Sequence, residues 1–577
     1  MRKKASIGLP PMAMSLQSTV GNKTGTWRYL KPVPVEGIAP CNEACLVAQD
    51  IERMILYITK GKFQEAYAQL SVENPMPSVL GRVCPHPCEG SCNRGEYDEP
   101  VSIQALERFI GDWGLKHGRF SSPLRPMRKE EIAVIGSGPA GLSCSYHLAR
   151  MGYKVTILEL MPVLGGKLRW AIPDYRLPKK ILDQEIEKIL SLGIRVRKKV
   201  KVGRDIPFED LKRYQAVFIA TGVQRSLPFG LPGEGSKNVV SGLDFLKSSN
   251  LGEEVSLGLR PVVVGGGNTA IDVARSCLRL GSSPVILYRR SKQEMPAYKD
   301  EVEEAEREGI PIRYLVAPIR IIREKGRVTG LECMKMRMGK PDPSGRRSPI
   351  PIRGSKFFVE TDHVIRAIGE TADLAFLSRE VRSADHFIST SPQMTTSHPG
   401  VFAGGDAIAQ PRSVGHAILS GKKAAISIDC HLKGKDAKEA YRTIQVGTKG
   451  GVILEAYLHP GEMNLEGKKV VGFGEINTSY FEKSPRLEGK ALSQEKALQG
   501  FDEISLGLDR ASAVRSAERC FQCGLCNSCR NCDLFCPDLA VLMKGKGPEI
   551  NYDHCKGCGI CVQECPRGAL AMADETY

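Results

Sequence analysis

Near its C-terminus the sequence repeats a spacing that few folds can accommodate: Cys526-x-x-Cys529-x-x-Cys532-x-x-x-Cys536-Pro537 recurs as Cys555-x-x-Cys558-x-x-Cys561-x-x-x-Cys565-Pro566. Three thiolates at that spacing hold three irons of one 4Fe–4S cube. In a duplicated arrangement the fourth cysteine, before proline, crosses to the other cube. The expected ligand sets are therefore Cys526, Cys529 and Cys532 with Cys565, and Cys555, Cys558 and Cys561 with Cys536. Zinc is the alternative, but eight duplicated cysteines with no alternating histidine fit it poorly. A short stretch that must wrap two cubes is expected to form a small α+β domain over residues 516–577.

The remaining cysteines agree with metal ligation more than with disulfides. There are 19 in a chain of 577 residues, and they are clustered, which suits a reducing, cytoplasmic setting. No apolar run approaches the roughly 18 residues of a membrane span, and the first 16 residues lack a signal-peptide core. The net charge of +16 comes without dense Lys/Arg runs interleaved with aromatics, so it reads as surface solvation and not as a nucleic-acid site.

Two strand–turn–helix units lie between the cysteine-rich ends. The strand 132–135 runs into Gly136-Ser-Gly138-Pro139-Ala140-Gly141 and a helix to 150, and the next strand, 154–158, ends in Glu159. In this fingerprint the first glycine makes the turn, the second admits a pyrophosphate, and the third lets helix and strand pack closely. The acid meets ribose hydroxyls. The second unit, Gly265-Gly-Gly267-Asn268-Thr269-Ala270, has alanine in third place, and its following strand, 285–288, ends in Arg289 and Arg290. Guanidinium groups there suit the 2′-phosphate of NADPH, with surface ion pairing and NADH as the alternative.

This arrangement resembles the two-dinucleotide flavoprotein fold of pyridine-nucleotide oxidoreductases. The likeness is carried by Ala220-Thr221-Gly222, where the chain leaves the first domain, and Gly400-Val-Phe-Ala-Gly404-Gly405-Asp406, where it returns. It implies FAD in the first site, with Asp406 on the ribityl hydroxyls and a helix near 416–425 aimed at the flavin ring, and NAD(P)H in the second. Gly166-Lys167-Leu168 and Arg176-Leu-Pro resemble the flavin-side loops of a narrower group. A disulfide reductase of this fold needs a cysteine pair beside the flavin, but Cys144, Cys277, Cys333 and Cys430 are isolated and read as packed thiols.

The narrower group is marked by Cys84-Pro-His-Pro-Cys88-Glu-Gly-Ser-Cys92, which resembles the cluster domain of glutamate synthase small subunits, with relatives in dihydropyrimidine dehydrogenase and ferredoxin:NADP transhydrogenases. The resemblance runs over about 27–435, includes Met295-Pro-Ala, and implies two further 4Fe–4S clusters. One departure stands out: the Cys-x-x-Cys that normally precedes Cys41 is missing. The resemblance implies Cys45, Cys84 and Cys88 as one thiolate set, completed by a carboxylate that alignment puts at Glu107; the alternative is an exposed helical glutamate paired with an arginine. Cys41 and Cys92 are left two ligands short, while Cys520-Phe-Gln-Cys523 is two cysteines more than the C-terminal repeat uses. Their surroundings, Ala517-Glu-Arg-Cys-Phe-Gln-Cys, resemble the missing opening of the N-terminal domain, so one shared cluster on Cys41, Cys92, Cys520 and Cys523 is expected. The alternative is a set of spare, packed thiols.

The expected class is α/β, with two nested Rossmann-like domains of the disulfide-reductase-like flavoprotein type, an N-terminal helical iron–sulfur domain and a C-terminal ferredoxin-like α+β domain. Expected boundaries are 1–125 for the N-terminal domain, with a linker at 121–127; 126–228 and 365–435 for the FAD domain; 229–364 for the NAD(P)H domain; 436–515 for an extended connector; and 516–577 for the ferredoxin-like domain. The expected function is NAD(P)H:acceptor electron transfer through FAD and four 4Fe–4S clusters to or from a redox protein, with no side-chain nucleophile. The resemblance points to dissimilatory sulfite reductase as that partner, with a 2-oxoacid oxidoreductase, ferredoxin or glutamate synthase as alternatives. It leaves a homodimer open, and a non-catalytic cluster scaffold is the competing class.

Overall fold

A computed structural model of the chain describes residues 23–118, 127–343, 345–377, 381, 387–461, 463, 465–545 and 547–575. The first 16 residues and all but the last of the 121–127 linker lie outside the described residues.

Two five-stranded parallel sheets form the centre. One is ordered Val401–Ala403, Ala216–Ile219, Glu131–Ile135, Lys154–Leu158, Arg195–Arg197; the other Ile312–Tyr314, Val285–Tyr288, Pro261–Val264, His363–Arg366, Val239–Ser241. Their central strands are continuous apolar runs because both faces of each sheet are covered. The chain crosses from the first domain to the second at Arg225–Ser226 and returns at Glu370–Thr371, and these segments pair antiparallel as a two-stranded hinge. A three-stranded meander, Val316–Glu324, Arg327–Pro341 and Arg347–Glu360, covers one face of the second domain.

The N-terminal helices pack on the first domain in one continuous core. Asp50 caps Ile51–Thr59, and Gly61, at φ +67°, turns the chain into Phe63–Glu73. Helices Pro77–Val83 and Ile103–His117 touch backbone to backbone: a Cβ on Gly81 would stand 2.4 Å from Arg108 N, and one on Gly111 2.5 Å from Ser78 N. That approach sets Glu107 beside Cys84.

Both ends of the chain meet. Strand Leu30–Pro34 pairs antiparallel with Leu570–Asp574, the last strand of the C-terminal domain. Its two prolines are tolerated because this is an edge. Helix Arg510–Glu518 lies across Ile51–Thr59 and Ile103–His117, with Ala513 and Ala517 fully buried in the N-terminal core. Residues 436–515, expected as an extended connector, contain helices Ala437–Ile444 and Leu454–Leu458 packed against Val414–Leu432. Among the described residues no helix is long and apolar enough to cross a membrane.

Candidate redox site

A cavity of about 1470 Å³ lies between the two parallel sheets, above the size typical for one small ligand. Gly136 turns at φ +103°, where a Cβ would strike Ala220 O at 2.5 Å, and a Cβ on Gly141 would strike Gly136 O at 2.0 Å. Gly138, by contrast, has nothing within 4 Å of where a Cβ would stand, so its backbone faces the cavity. Pro139 and Ala140 begin the helix there. Glu159 is buried at the strand end and accepts from Ser137 N and Oγ at 2.9 and 2.6 Å and from Met161 N at 2.7 Å. The buried Thr221 Oγ1 has no partner among the described residues, and Gly222, at φ +68°, is open beside it. A turn that a Cβ would fill and an orphaned hydroxyl both fit a bound dinucleotide. Gly405 donates to Ser420 Oγ, and burial raises the pKa of the Asp406 carboxyl. Helix Val414–Leu432 begins at the cavity wall, capped by Ser413.

The second fingerprint opens onto the same cavity. Gly265 turns at φ +148° against Ala367 O, Gly267 is open, and Ala270 is buried under the strand. Asn268 Oδ1 accepts from Tyr298 N at 2.9 Å, and Thr269 Oγ1 reaches Glu370 at 3.3 Å. The two arginines diverge. Arg289 is exposed on the cavity lining, whereas Arg290 is buried, donating to Asp342 at 2.6 Å and to Arg347 O at 2.9 Å. Arg346, on the same hairpin, also lines the cavity and was not anticipated. Gly166 packs on Gly138, Leu168 is buried, and Lys167 holds Glu370 at 2.6 Å. Arg176 also lines the cavity, and it grips Asp272 with bonds of 2.8 and 2.9 Å and Glu301 at 2.7 Å, joining the two domains.

Behind the wall of this cavity lies a small second one, lined by Cys45, Cys84, Cys88 and Glu107. Val83 faces the first cavity and Cys84 the second, and Gly415 at the start of the long helix also lines the second. Glu107 is buried and accepts from Gln49 at 2.9 Å and Asn74 at 2.8 Å, with His86 Nε2 at 2.9 Å; it has the burial of a site residue and not of an exposed helical glutamate. His86 stands at φ +44° inside the Cys-Pro-His-Pro-Cys turn. That turn was the available signal for it; Gln49 and Asn74 had none. Burial pushes the Cys45 thiol up to about 11.

Cys41, Cys92, Cys520 and Cys523 come together from opposite ends of the chain, close enough to perturb one another's ionisation. Asn93 Nδ2 lies 3.5 Å from Cys523 Sγ. Two arginines tie the segment down. Arg519 donates to Asp98, Pro100 O and Glu99 O at 3.1, 3.1 and 2.8 Å. Arg94 reaches Arg519 O at 3.0 Å and Glu482 O at 2.6 Å, and its guanidinium stands 5.0 Å from the centroid of the Phe521 ring. Burial pushes the Cys41 and Cys520 thiols up, and Cys523 to about 12.

In the C-terminal domain Cys532 groups with Cys526, Cys529 and Cys565, and Cys561 with Cys555, Cys558 and Cys536. Cys529 and Cys558 are exposed. Among the described residues no three His, Cys, Asp or Glu side chains are arranged for one bare metal ion. A single ion draws its ligands to about 2.0–2.3 Å, whereas a cube takes one ligand at each iron corner. Cys144, Cys277, Cys333 and Cys430 are buried apart from these groups.

Comparison with known proteins follows this division. Residues 130–421 match the family model "Pyridine nucleotide-disulphide oxidoreductase", residues 37–119 "Dihydroprymidine dehydrogenase domain II, 4Fe-4S cluster", and residues 548–571 "4Fe-4S binding domain". The chain is 40% identical to the NADP(+)-dependent formate dehydrogenase subunit beta of Moorella thermoacetica, over 84% of this chain and 70% of that one. It is 36% identical to the NADPH-Fe(3+) oxidoreductase subunit beta of Geobacter sulfurreducens, over 84% and 75%. It is 34% identical to the glutamate synthase [NADPH] small chain of Azospirillum brasilense, over 69% and 87%. The chain therefore belongs to the pyridine nucleotide-disulphide oxidoreductase family, as an oxidoreductase with 4Fe–4S domains on either side of its two dinucleotide-binding domains.

Proposed function

We propose that the chain is an NADPH:acceptor oxidoreductase that holds FAD and four 4Fe–4S clusters and exchanges electrons with a redox protein. The observation that carries this reading is the continuity of the side-chain groups. The large cavity shares a wall, at Val83–Cys84 and Gly415, with the Cys45/Cys84/Cys88/Glu107 group. The four cysteines from both chain ends follow, because Cys41 and Cys45 share one short helix and its C-cap and that helix packs on the one carrying Cys88, just before Cys92. Then come the two C-terminal sets, of which Cys529 and Cys558 reach the surface. Bound in these places, FAD and the clusters supply the conversion of a two-electron hydride donor into one-electron carriers.

The chain's own contribution is to bind and orient. Gly136, Gly138 and Gly141 admit the flavin's pyrophosphate, with Glu159 and Asp406 at its sugar portions. Gly265, Gly267, Asn268, Thr269 and Ala270 do the same for the nucleotide, with Arg289 at its 2′-phosphate. Relatives named for NADP(+) and NADPH support that choice. None of those relatives is named as a sulfite-reductase partner, so the partner is assigned only as a redox protein.

The test uses the full chain, purified without oxygen. The unaltered protein should hold about sixteen irons, and Cys520→Ala with Cys523→Ala about twelve, while NADPH still bleaches the flavin in both. Equal iron in the two would remove the shared cluster. Absence of flavin bleaching and of viologen-dye reduction would leave the scaffold reading in its place.

A further inference from the structure

Arg567 follows the Cys565-Pro566 pair, and both its backbone and its side chain turn towards the other end of the series. Its carbonyl accepts from Gly524 N at 2.7 Å, just beyond Cys523, and its Nη1 donates to Phe521 O at 3.0 Å, inside the Cys520-Phe-Gln-Cys523 turn. The guanidinium stands 5.5 Å from the centroid of the Phe481 ring. Its charge acts on Cys529 and Cys565 on one side and on Cys520 and Cys523 on the other. It also borders the small cavity formed by Cys526, Cys529, Cys532 and Cys565. Among the described residues its buried Nε–H meets no acceptor. A buried charged donor left unpaired is costly and calls for an acceptor that the protein chain does not provide. Between two thiol groups, the acceptor of matching chemistry is a sulfur.

We propose that Arg567 is a positioning residue for electron transfer between the shared site and the nearer C-terminal cluster: its Nε–H donates to a cluster sulfur and its charge favours the reduced form on both sides. The inference rests on the reading that both cysteine groups hold 4Fe–4S clusters. Each step adds one electron to one site and removes it from its neighbour. Arg567 stays protonated throughout, so no proton moves. A fixed cation in a region of low dielectric raises both reduction potentials together and keeps the step between them nearly level.

The experiment is a redox titration of the whole loaded protein followed by electron paramagnetic resonance, with iron counted in each sample. Arg567→Met should make both adjoining clusters about tenfold harder to reduce at a given potential, 59 mV for one electron, and leave the Cys45/Cys84/Cys88 and Cys555/Cys558/Cys561 sets unmoved. Arg567→Lys keeps the charge and loses the Nε–H, and should shift the same two by less. Unmoved potentials with full iron in Arg567→Met overturn the proposal, as does an equal shift in all four sets. Should Arg567→Met fail to load its clusters, unmoved potentials in Arg567→Lys overturn it. Iron of about twelve in the unaltered protein defeats the underlying reading instead, a separate result.

Discussion

The eight cysteines of the C-terminal repeat and the four shared by the two chain ends contain the same side chain, but they are assembled in opposite ways. The eight lie within residues 526–565, and three of each set come from one short run while the fourth comes from the other repeat, with Ala540 N and Ala569 N directed at those fourth cysteines, Cys536 and Cys565. They form a shallow domain that leaves Cys529 and Cys558 exposed. The four are joined across more than 420 positions of sequence, and what gathers them is a set of charged contacts: Arg94, Arg519 and Asp98. Locally built sites can stand at a surface where a partner reaches them. A cluster bound at a site built from two ends would also be a fastener, because filling it requires the C-terminal domain to be docked.

That contrast is broken most directly at Arg519. Its side chain and that of Asp98 are nearly buried. Asp98 keeps Arg94 at 2.5 and 2.7 Å, but losing Arg519 removes the charged donor's bonds to Asp98, Pro100 O and Glu99 O, each typically worth about 1.5–3 kcal/mol. Arg519→Ala should therefore lower the thermal midpoint and release about four irons per chain, while the C-terminal sets keep theirs. Calorimetry and anaerobic iron analysis read both effects, and unchanged iron with an unchanged midpoint would show that the fastener lies elsewhere.

The same contrast explains what could be read without a structure. The fingerprint glycines and the C-terminal cysteines are local: spacing alone dictates the turn at Gly136 and the grouping of Cys526, Cys529 and Cys532. The count of leftover cysteines, with the resemblance of the words around Cys520, pointed to Cys41, Cys92, Cys520 and Cys523 as neighbours, but not to the arginines beside them, because a guanidinium's partner is set by tertiary approach. The Leu30–Pro34 strand and the packing of Ala513 and Ala517 on the N-terminal helices were invisible for the same reason. Short edge strands with two prolines carry no strand pattern, and a nine-residue helix whose buried face is alanine shows no marked apolar stripe until something packs against it.

Glu107 sharpens the comparison at an intermediate scale, since it is the one oxygen donor expected in an otherwise sulfur-lined series. Gln49, Asn74 and His86 hold its two oxygens, and such supporting bonds typically change metal-site behaviour by about 10–100-fold when removed. Glu107→Ala should alter the resonance signature and potential of the Cys45/Cys84/Cys88 set and leave the exposed C-terminal sets as they were. Glu107→Gln, which preserves the shape, should lose less. Identical redox titrations in all three proteins would mean that Glu107 only braces the turn around His86.

The smallest expected effect repeats the lesson between two adjacent residues. Arg289 and Arg290 are neighbours in sequence and both line the cavity, yet Arg289 is exposed, and Arg290 is buried and bonded to Asp342 and the Arg347 carbonyl. A charge-assisted contact to a phosphate is about twice as strong as a neutral one, and only NADPH offers that phosphate. Arg289→Ala should raise KM for NADPH by about tenfold and scarcely alter KM for NADH, the mark of a binding contact equal in ground and transition states. Arg290→Ala should discriminate less between the two nucleotides and instead loosen the hairpin that bears Asp342 and Arg346, since its Nε and Nη2 are already committed there. Steady-state kinetics with both nucleotides separates the cases. Greater loss of NADPH selectivity at Arg290 than at Arg289 would mean that the 2′-phosphate displaces Asp342 on binding and that the buried arginine is the one that reads it.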